Sequence, residues 1–396
     1  MNTPFDFDTI IDRKVSDSHK WRKYEGKDVI PMWVADMDFV SPPAAIDALR
    51  QRVVHGIFGY AEPAPQLKER VAEHLQQRHH WVISPEWIVW LPGLVTGLNV
   101  ACRSVGRPGA GILTTPPIYP PFLTAPRLAG KRLQTCPLSY CGTRWELDLD
   151  GLKRAAVDGN ALFLLCNPHN PTGRVFTRKE LETLADICLQ SNLVICSDEI
   201  HCDLILEPGC RHVPMAALSP EVARQTITLM APSKTFNLPG LGCAYAVIPD
   251  PRLRRRFKRA MAGIVPHVNL FGYVAAQAAY EHAIPWLEAL LNYLRDNRQL
   301  VYQAVQQMKG LSMAPVEATY LAWIDARQSR FEDPADFFER NGVGLSDGVH
   351  FGAPGFLRLN FGCPRSLLTK ALARMAQAVQ TWAMDKDDLR DQPKPC

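Results

Sequence analysis

The sequence predicts an α/β fold in which a mostly parallel sheet forms a large domain and a smaller α+β domain follows. Three observations carry this. The runs "ALFLLCNP" (161–168), "LVICSDEI" (193–200) and "TITLMAPSK" (226–234) are strand-like and predominantly apolar. Apolar runs of this length fit strands buried on both faces. Helical segments separate them, the arrangement that covers a parallel sheet. From about residue 281 the pattern changes to one long helical segment followed by two strand-like runs.

The first forty residues are polar and irregular, so 1–40 reads as an N-terminal segment that packs with the small domain. Ser41-Pro42-Pro43 opens a helix, with serine expected to cap the free N–H groups and proline to suit the first turn. "WIVWLP" (87–92) predicts a strand, and "GLVTGLNVACRSV" (93–105) the helix after it. "GILTTPP" (111–117) and "CAYAVIP" (243–249) predict two further strands. "TRKELETLADICLQ" (177–190) is a helix whose capping box is Thr177 and Glu180. The large domain spans 41–280. The small one spans 281–384, built on "IPWLEALLNYLRDNRQLVYQAVQQM", "TYLAWIDAR" and "FLRLNFG". Residues 385–396 read as a frayed tail.

Composition narrows the function. The 396 residues are 47% hydrophobic and 21% charged, with a net charge of +4, too small to make nucleic acid the main partner. The basic run "RLRRRFKR" (252–259) reads as the solvated face of a helix. Eleven cysteines without a C-x-x-C pair fit reduced thiols in a cytoplasm, and no metal site is expected. Cys166 and Cys196 sit in apolar runs and are expected in the core. The start "MNTPFDFDTIIDRK" has no signal-like apolar centre, and no run approaches the roughly 20 residues of a membrane span.

Polar residues fall at the predicted strand ends, where ligands bind in such sheets. Lys234 follows a strand in apolar surroundings, so desolvation lowers its pKa and frees an amine able to form a Schiff base. Asp198 ends another strand, and buried there it needs a cationic partner such as a protonated pyridine nitrogen. Asn170, in "NPHNPTG", can donate to a ring oxygen. The helix start at Val95 and Thr96 offers free N–H groups to a phosphate. Tyr119, in "PPIYPPF", can stack on an aromatic ring. Taken singly, each has a plainer reading: a surface lysine, a turn aspartate, a good turn, a packing tyrosine. In combination they suit pyridoxal 5'-phosphate (PLP).

The motifs "PMWVADMDF", "GIFGY", "PPIYPPF", "LCNPHNPTGRV", "SDEIHCDL", "SKTFNLPGL", "ATYLAWID" and "FLRLNFGCPR" span nearly the whole chain. On them the sequence resembles the fold-type I PLP enzymes of the aspartate aminotransferase superfamily. Within these it is similar to the cystathionine β-lyase and C–S lyase branch of MalY/PatB type. The resemblance implies that Lys234 binds the cofactor aldehyde, Asp198 the ring nitrogen and Asn170 the ring hydroxyl. Tyr119 would stack on the ring, and the Val95 and Thr96 amides would take the phosphate, helped by Ser233. Tyr60 would reach the phosphate, and the leaving group, of a neighbouring subunit, which implies a homodimer with shared active sites. Arg358 would clamp the substrate carboxylate. Ala35 and Asp36, in the segment near Trp33 to Phe39, are expected to contact substrate together with the "VGLSDGVHFG" loop.

Two positions depart from ordinary transaminases. His201 stands where they have tyrosine, three residues after the aspartate, and Gly242 where they have an arginine phosphate anchor, eight after the lysine. His201 is counted among the cofactor contacts, either as an acid–base group or as a packing substitute for the tyrosine. The implied reaction cleaves cystathionine or a related S-substituted L-cysteine to a thiol, pyruvate and ammonia, with Lys234 taking the Cα proton. An aminotransferase, or a regulatory binding protein on the same scaffold, is the alternative.

Overall fold

The computed structural model describes residues 4–156 and 159–388. Its main sheet has seven strands: β1 (Ile88–Leu91), β2 (Gly111–Thr114), β3 (Arg132–Thr135), β4 (Asn160–Cys166), β5 (Val194–Asp198), β6 (Thr226–Met230) and β7 (Ala244–Val247). They lie in the order β1-β7-β6-β5-β4-β2-β3. All neighbouring pairs are parallel except the two that β7 makes, with β1 and β6. Successive residues of β4 serve opposite faces. Leu162 and Leu164 pack with Leu98, Ala101, Cys196 and Ile227, whereas Phe163 and Leu165 pack with Leu181, Leu184 and Ile195. Both sides of the strand are thus apolar, which is why its sequence shows no alternation.

A second sheet is antiparallel. Its strands are β8 (Ser312–Met313), β9 (Leu321–Asp325), β10 (Ser346–Asp347) and β11 (Phe356–Asn360), in the order β8-β9-β11-β10. The helices Ile284–Gln307 and Arg365–Asp388 belong to this part of the chain. The N-terminal segment reaches it too, since Ile30 and Pro31 pair in parallel with Val343 and Gly344.

Several expectations change in detail. Ser41 does not cap its helix: Pro42 is the N-cap of Pro43–His55, and the Ser41 hydroxyl donates instead to the Asn237 carbonyl at 2.8 Å. The run "TITLMAPSK" is strand only to Met230. Pro232 then starts a one-turn helix, Pro232–Thr235, so Lys234 stands on a helical turn rather than at a strand end. Thr177 and Glu180 do form the capping box of Arg178–Gln190. The basic run forms the helix Pro251–Met261, which buries Leu253 and Phe257 and leaves most of its cations in solvent. Cys166 and Cys196 are buried. The last helix runs on to Asp388, past the expected start of the tail, and 389–396 lie outside the described residues. Among the described residues no helix is long and apolar enough to cross a membrane.

Candidate active site

A cavity of about 380 Å³ opens at the carboxyl edge of the main sheet. Four strands or their following turns feed it: Gly93 to Thr96 after β1, Asn170 after β4, Asp198 at the end of β5, and Ser233 and Lys234 after β6. Ala35, Tyr119, His201 and Arg358 also line it. Parallel strands all point their carboxyl ends to one side, so residues far apart in sequence arrive at one place.

The cavity's charged groups lack counter-ions. Among the described residues, Lys234, Asp198 and Arg358 form no ion pair with one another or with anything else. Burial, opposed by Asp36 and Asp198 and aided by Arg358, lowers the Lys234 amine to about 8. Its Nζ donates to the Ala35 carbonyl at 2.5 Å. Burial raises the Asp198 carboxyl to about 7, although the Ile200 N–H donates to it at 3.2 Å. Burial likewise lowers the Arg358 guanidinium to about 10. Its Nη1 donates to Asn170 Oδ1 at 3.0 Å and its Nη2 to the Trp33 carbonyl at 2.9 Å, while its Nε has no partner. A buried cation left with neutral acceptors is costly unless an anion arrives.

The helix Leu94–Ser104 aims its amino end at the cavity, with Gly93 as N-cap. The Gly97 N–H is taken by the Gly93 carbonyl at 3.2 Å. The amides of Leu94, Val95 and Thr96 precede that first helical bond and are the donors left for an anion. Tyr119 starts the helix Pro120–Leu128, and its N–H donates to the Asn170 carbonyl at 3.1 Å, which ties the two loops together. His201 is buried with Nδ1 unpartnered, and burial pulls it down to about 3, so it is neutral. An aldehyde-bearing aromatic cation with a phosphate fits this set: amine, carboxylate, amide donor, flanking ring and helix start each match one of its groups.

A family model for aminotransferase class I and II matches residues 27–375. The chain belongs to this family. It is 36% identical to cystathionine beta-lyase PatB of Bacillus subtilis (strain 168), over 94% of this chain and 99% of the relative. Among solved structures, the crystal structure of OvoB is 50% identical and superposes with a TM-score of 0.93, covering 95% of this chain and 99% of that one. Cystalysin from Treponema denticola, whose structure contains pyridoxal 5'-phosphate, is 32% identical with a TM-score of 0.92, covering 96% and 99%.

As a member of this family the chain has two further features of note. The first is Gly242, which adopts a left-handed φ of 58°, and a Cβ there would meet the Pro92 carbonyl at 3.1 Å. An arginine at this position is therefore disfavoured by the backbone itself. The second is the set of residues that hold the segment 33–38 beside Lys234, which the sequence reading missed. Tyr320 donates its hydroxyl to the Ala35 carbonyl at 3.0 Å. Asn360 donates to the carbonyls of Val34 and Asp36, at 2.6 and 2.9 Å. Lys20 is fully buried, and its amine lies 2.5 Å from Asp38 and 2.9 Å from the Asp36 carbonyl. Tyr320 and Asn360 sit within motifs already noted; nothing local marks Lys20.

Two expected residues lie apart from the cavity lining. The Asp36 carboxylate turns to Arg13, at 2.8 Å. Tyr60 is fully exposed on the surface.

Proposed function

We propose that the protein is a PLP-dependent carbon–sulfur β-lyase, which with water converts cystathionine or a related S-substituted L-cysteine to a thiol, pyruvate and ammonia. The observation that carries this is the cavity, where an amine, a carboxylate and a guanidinium stand buried without counter-ions beside an open helix start. The curated relative that is named a cystathionine β-lyase supports the choice of reaction.

Lys234 would hold the cofactor aldehyde, Asp198 its ring nitrogen and Asn170 its ring oxygen. Tyr119 would flank the ring, with the amides of Leu94, Val95 and Thr96 and the Ser233 hydroxyl on the phosphate. Bound PLP supplies an electron sink for charge left on the substrate Cα. Arg358 binds the substrate carboxylate through its planar fork and so orients the Cα–H bond. Once the substrate's amino group takes its place on the aldehyde, Lys234 would be released as a free amine, and in a site where burial lowers that amine to about 8 it would accept the Cα proton. The Asp198 carboxylate favours the protonated ring nitrogen. Neutral His201 adds no competing charge.

The same proposal covers assembly and domains. The protein acts as a cytoplasmic homodimer in which Tyr60 reaches the neighbouring subunit's site. The exposed apolar residues Val53, Val54, Ile57 and Phe58 around Tyr60 support this, since patches of this kind mark interfaces. Residues 41–280 form the cofactor domain, and 1–40 join 281–384 in the small domain, a division supported by the pairing of Ile30 with Val343.

The test is incubation of the purified, PLP-loaded protein with cystathionine and no keto acid. Pyruvate and thiol should form, and Lys234→Ala should abolish both. A strict requirement for a keto-acid acceptor would identify an aminotransferase instead.

A further inference from the structure

Behind the active site lies a buried cluster that the reaction does not use directly. Asp203, 5% exposed, follows β5 and gathers four donors. His74 Nε2 lies 3.0 Å from Oδ2, His79 Nε2 3.0 Å from Oδ1, the Thr235 hydroxyl 3.0 Å from Oδ2, and Arg78 Nε 3.4 Å from Oδ1. A carboxylate can only accept, so both imidazoles carry their proton on Nε2. Although burial opposes ionisation, His74 and His79 hold the Asp203 carboxyl well below the usual carboxylate range.

The ligand-type atoms of His74, His79 and Asp203 crowd within 4.8 Å of one another, as in a metal site. Here each is already spent on a partner, and the Arg78 cation stands where a metal would compete with it. The cluster's outlet is Thr235. It is 1% exposed, ends the one-turn helix Pro232–Thr235, and directly follows Lys234. That helix is too short to hold its own orientation, and its N-cap makes no side-chain bond. The Thr235 hydroxyl donates to Asp203, and through that carboxylate this turn is tied to the helix Pro65–His79, which carries both histidines.

We propose that Asp203, locked between His74 and His79, is a positioning residue that acts through Thr235 to aim the Lys234 amine into the cavity. This rests on Lys234 being the cofactor lysine. The charged groups that act on that amine are Asp198, Arg358 and, from its ion pair with Arg13, Asp36, and the amine donates a hydrogen bond to the Ala35 carbonyl. None of them belongs to the cluster, so the cluster acts by geometry rather than by charge.

The test uses Thr235→Val, Thr235→Ser and Asp203→Asn in the PLP-loaded protein, with Lys234→Ala as control. Three quantities are read: kcat and KM for cystathionine, and the pH midpoint of the visible absorbance of lysine-bound cofactor. A displacement of an ångström or less at a reacting group costs up to about a hundredfold in rate. Thr235→Val and Asp203→Asn should lower kcat about tenfold to a hundredfold, leave KM within about threefold because Arg358 is untouched, and move the absorbance midpoint. Thr235→Ser, which keeps the hydroxyl, should restore both. Should Asp203→Asn not fold, the Thr235 pair decides alone, since it alters one methyl or hydroxyl group. A wild-type kcat and midpoint in Thr235→Val overturns the proposal, as does a fall in kcat that serine does not rescue. If Lys234→Ala keeps the visible band, the assignment of the cofactor lysine fails instead.

Discussion

At the scale of single residues, the cavity is a set of groups held away from their preferred charge states. In the cofactor-free protein Asp198 keeps its proton up to about 7, whereas the unfolded chain loses it near 3.8. The stability this contributes is complete below about pH 3.8 and is lost as pH rises through about 7. Lys234 does the converse. Its folded value of about 8 lies below the unfolded 10.5, so its contribution is complete above 10.5 and is lost as pH falls through 8. Urea midpoints of cofactor-free protein should therefore fall across the first window, and Asp198→Asn should flatten that fall. Lys234 should also be acylated by an amine-selective reagent with a midpoint near pH 8, well below the surface lysines, as peptide mapping would read. Arg358→Lys loses the planar fork, and charged hydrogen bonds are worth about 1.5–3 kcal/mol, so KM for cystathionine should rise about tenfold to a hundredfold.

At the scale of elements, the segment 33–38 shows how much lies behind one carbonyl. Ala35 receives both Lys234 and Tyr320, and the backbone around it is pinned by Asn360 and Lys20. Removing one member of a buried charged pair costs about 3–5 kcal/mol, and an exposed pair about 0–1. Lys20→Met should therefore destabilise the protein strongly in urea unfolding. Lys23→Met, which breaks the half-exposed contact with Glu339, should cost less than about 1 kcal/mol. The elements also differ in how well the sequence announced them. β4 was the plainest, because its run from Ala161 to Cys166 is apolar on both faces; β5 and β6 were legible as short, mostly apolar runs even though Ser197, Asp198, Thr226 and Thr228 lie within them. β3 was not, since its Arg132 and Thr135 are exposed and it lies at the sheet's edge. The turn bearing Lys234 was hidden because "TITLM" runs unbroken into Ala231; Pro232 at a helix start was the signal available. Most residues expected at the site were legible from strand ends and motifs. Lys20 was not, because its partner lies 18 residues away and only the fold reveals the pair.

At the scale of the whole molecule, Tyr60 stands exposed beyond its own cavity, and the proposed dimer gives it a site to serve. Two inactive variants, one lacking Tyr60 and one lacking Lys234, should then complement each other. Random mixing after dissociation makes about half of the dimers hybrids with one complete site each, so about a quarter of wild-type activity should return. Monomeric, uncomplemented protein in an ultracentrifuge would sink the proposed assembly. The pairing of Ile30 with Val343, and of Val34 with Asn360, has a consequence for biosynthesis. A ribosome makes the wall beside Lys234 first and the residues that fasten it last. Until translation has passed Asn360 the pocket cannot close, so about nine tenths of these 396 residues must be made before a nascent chain can retain a cofactor.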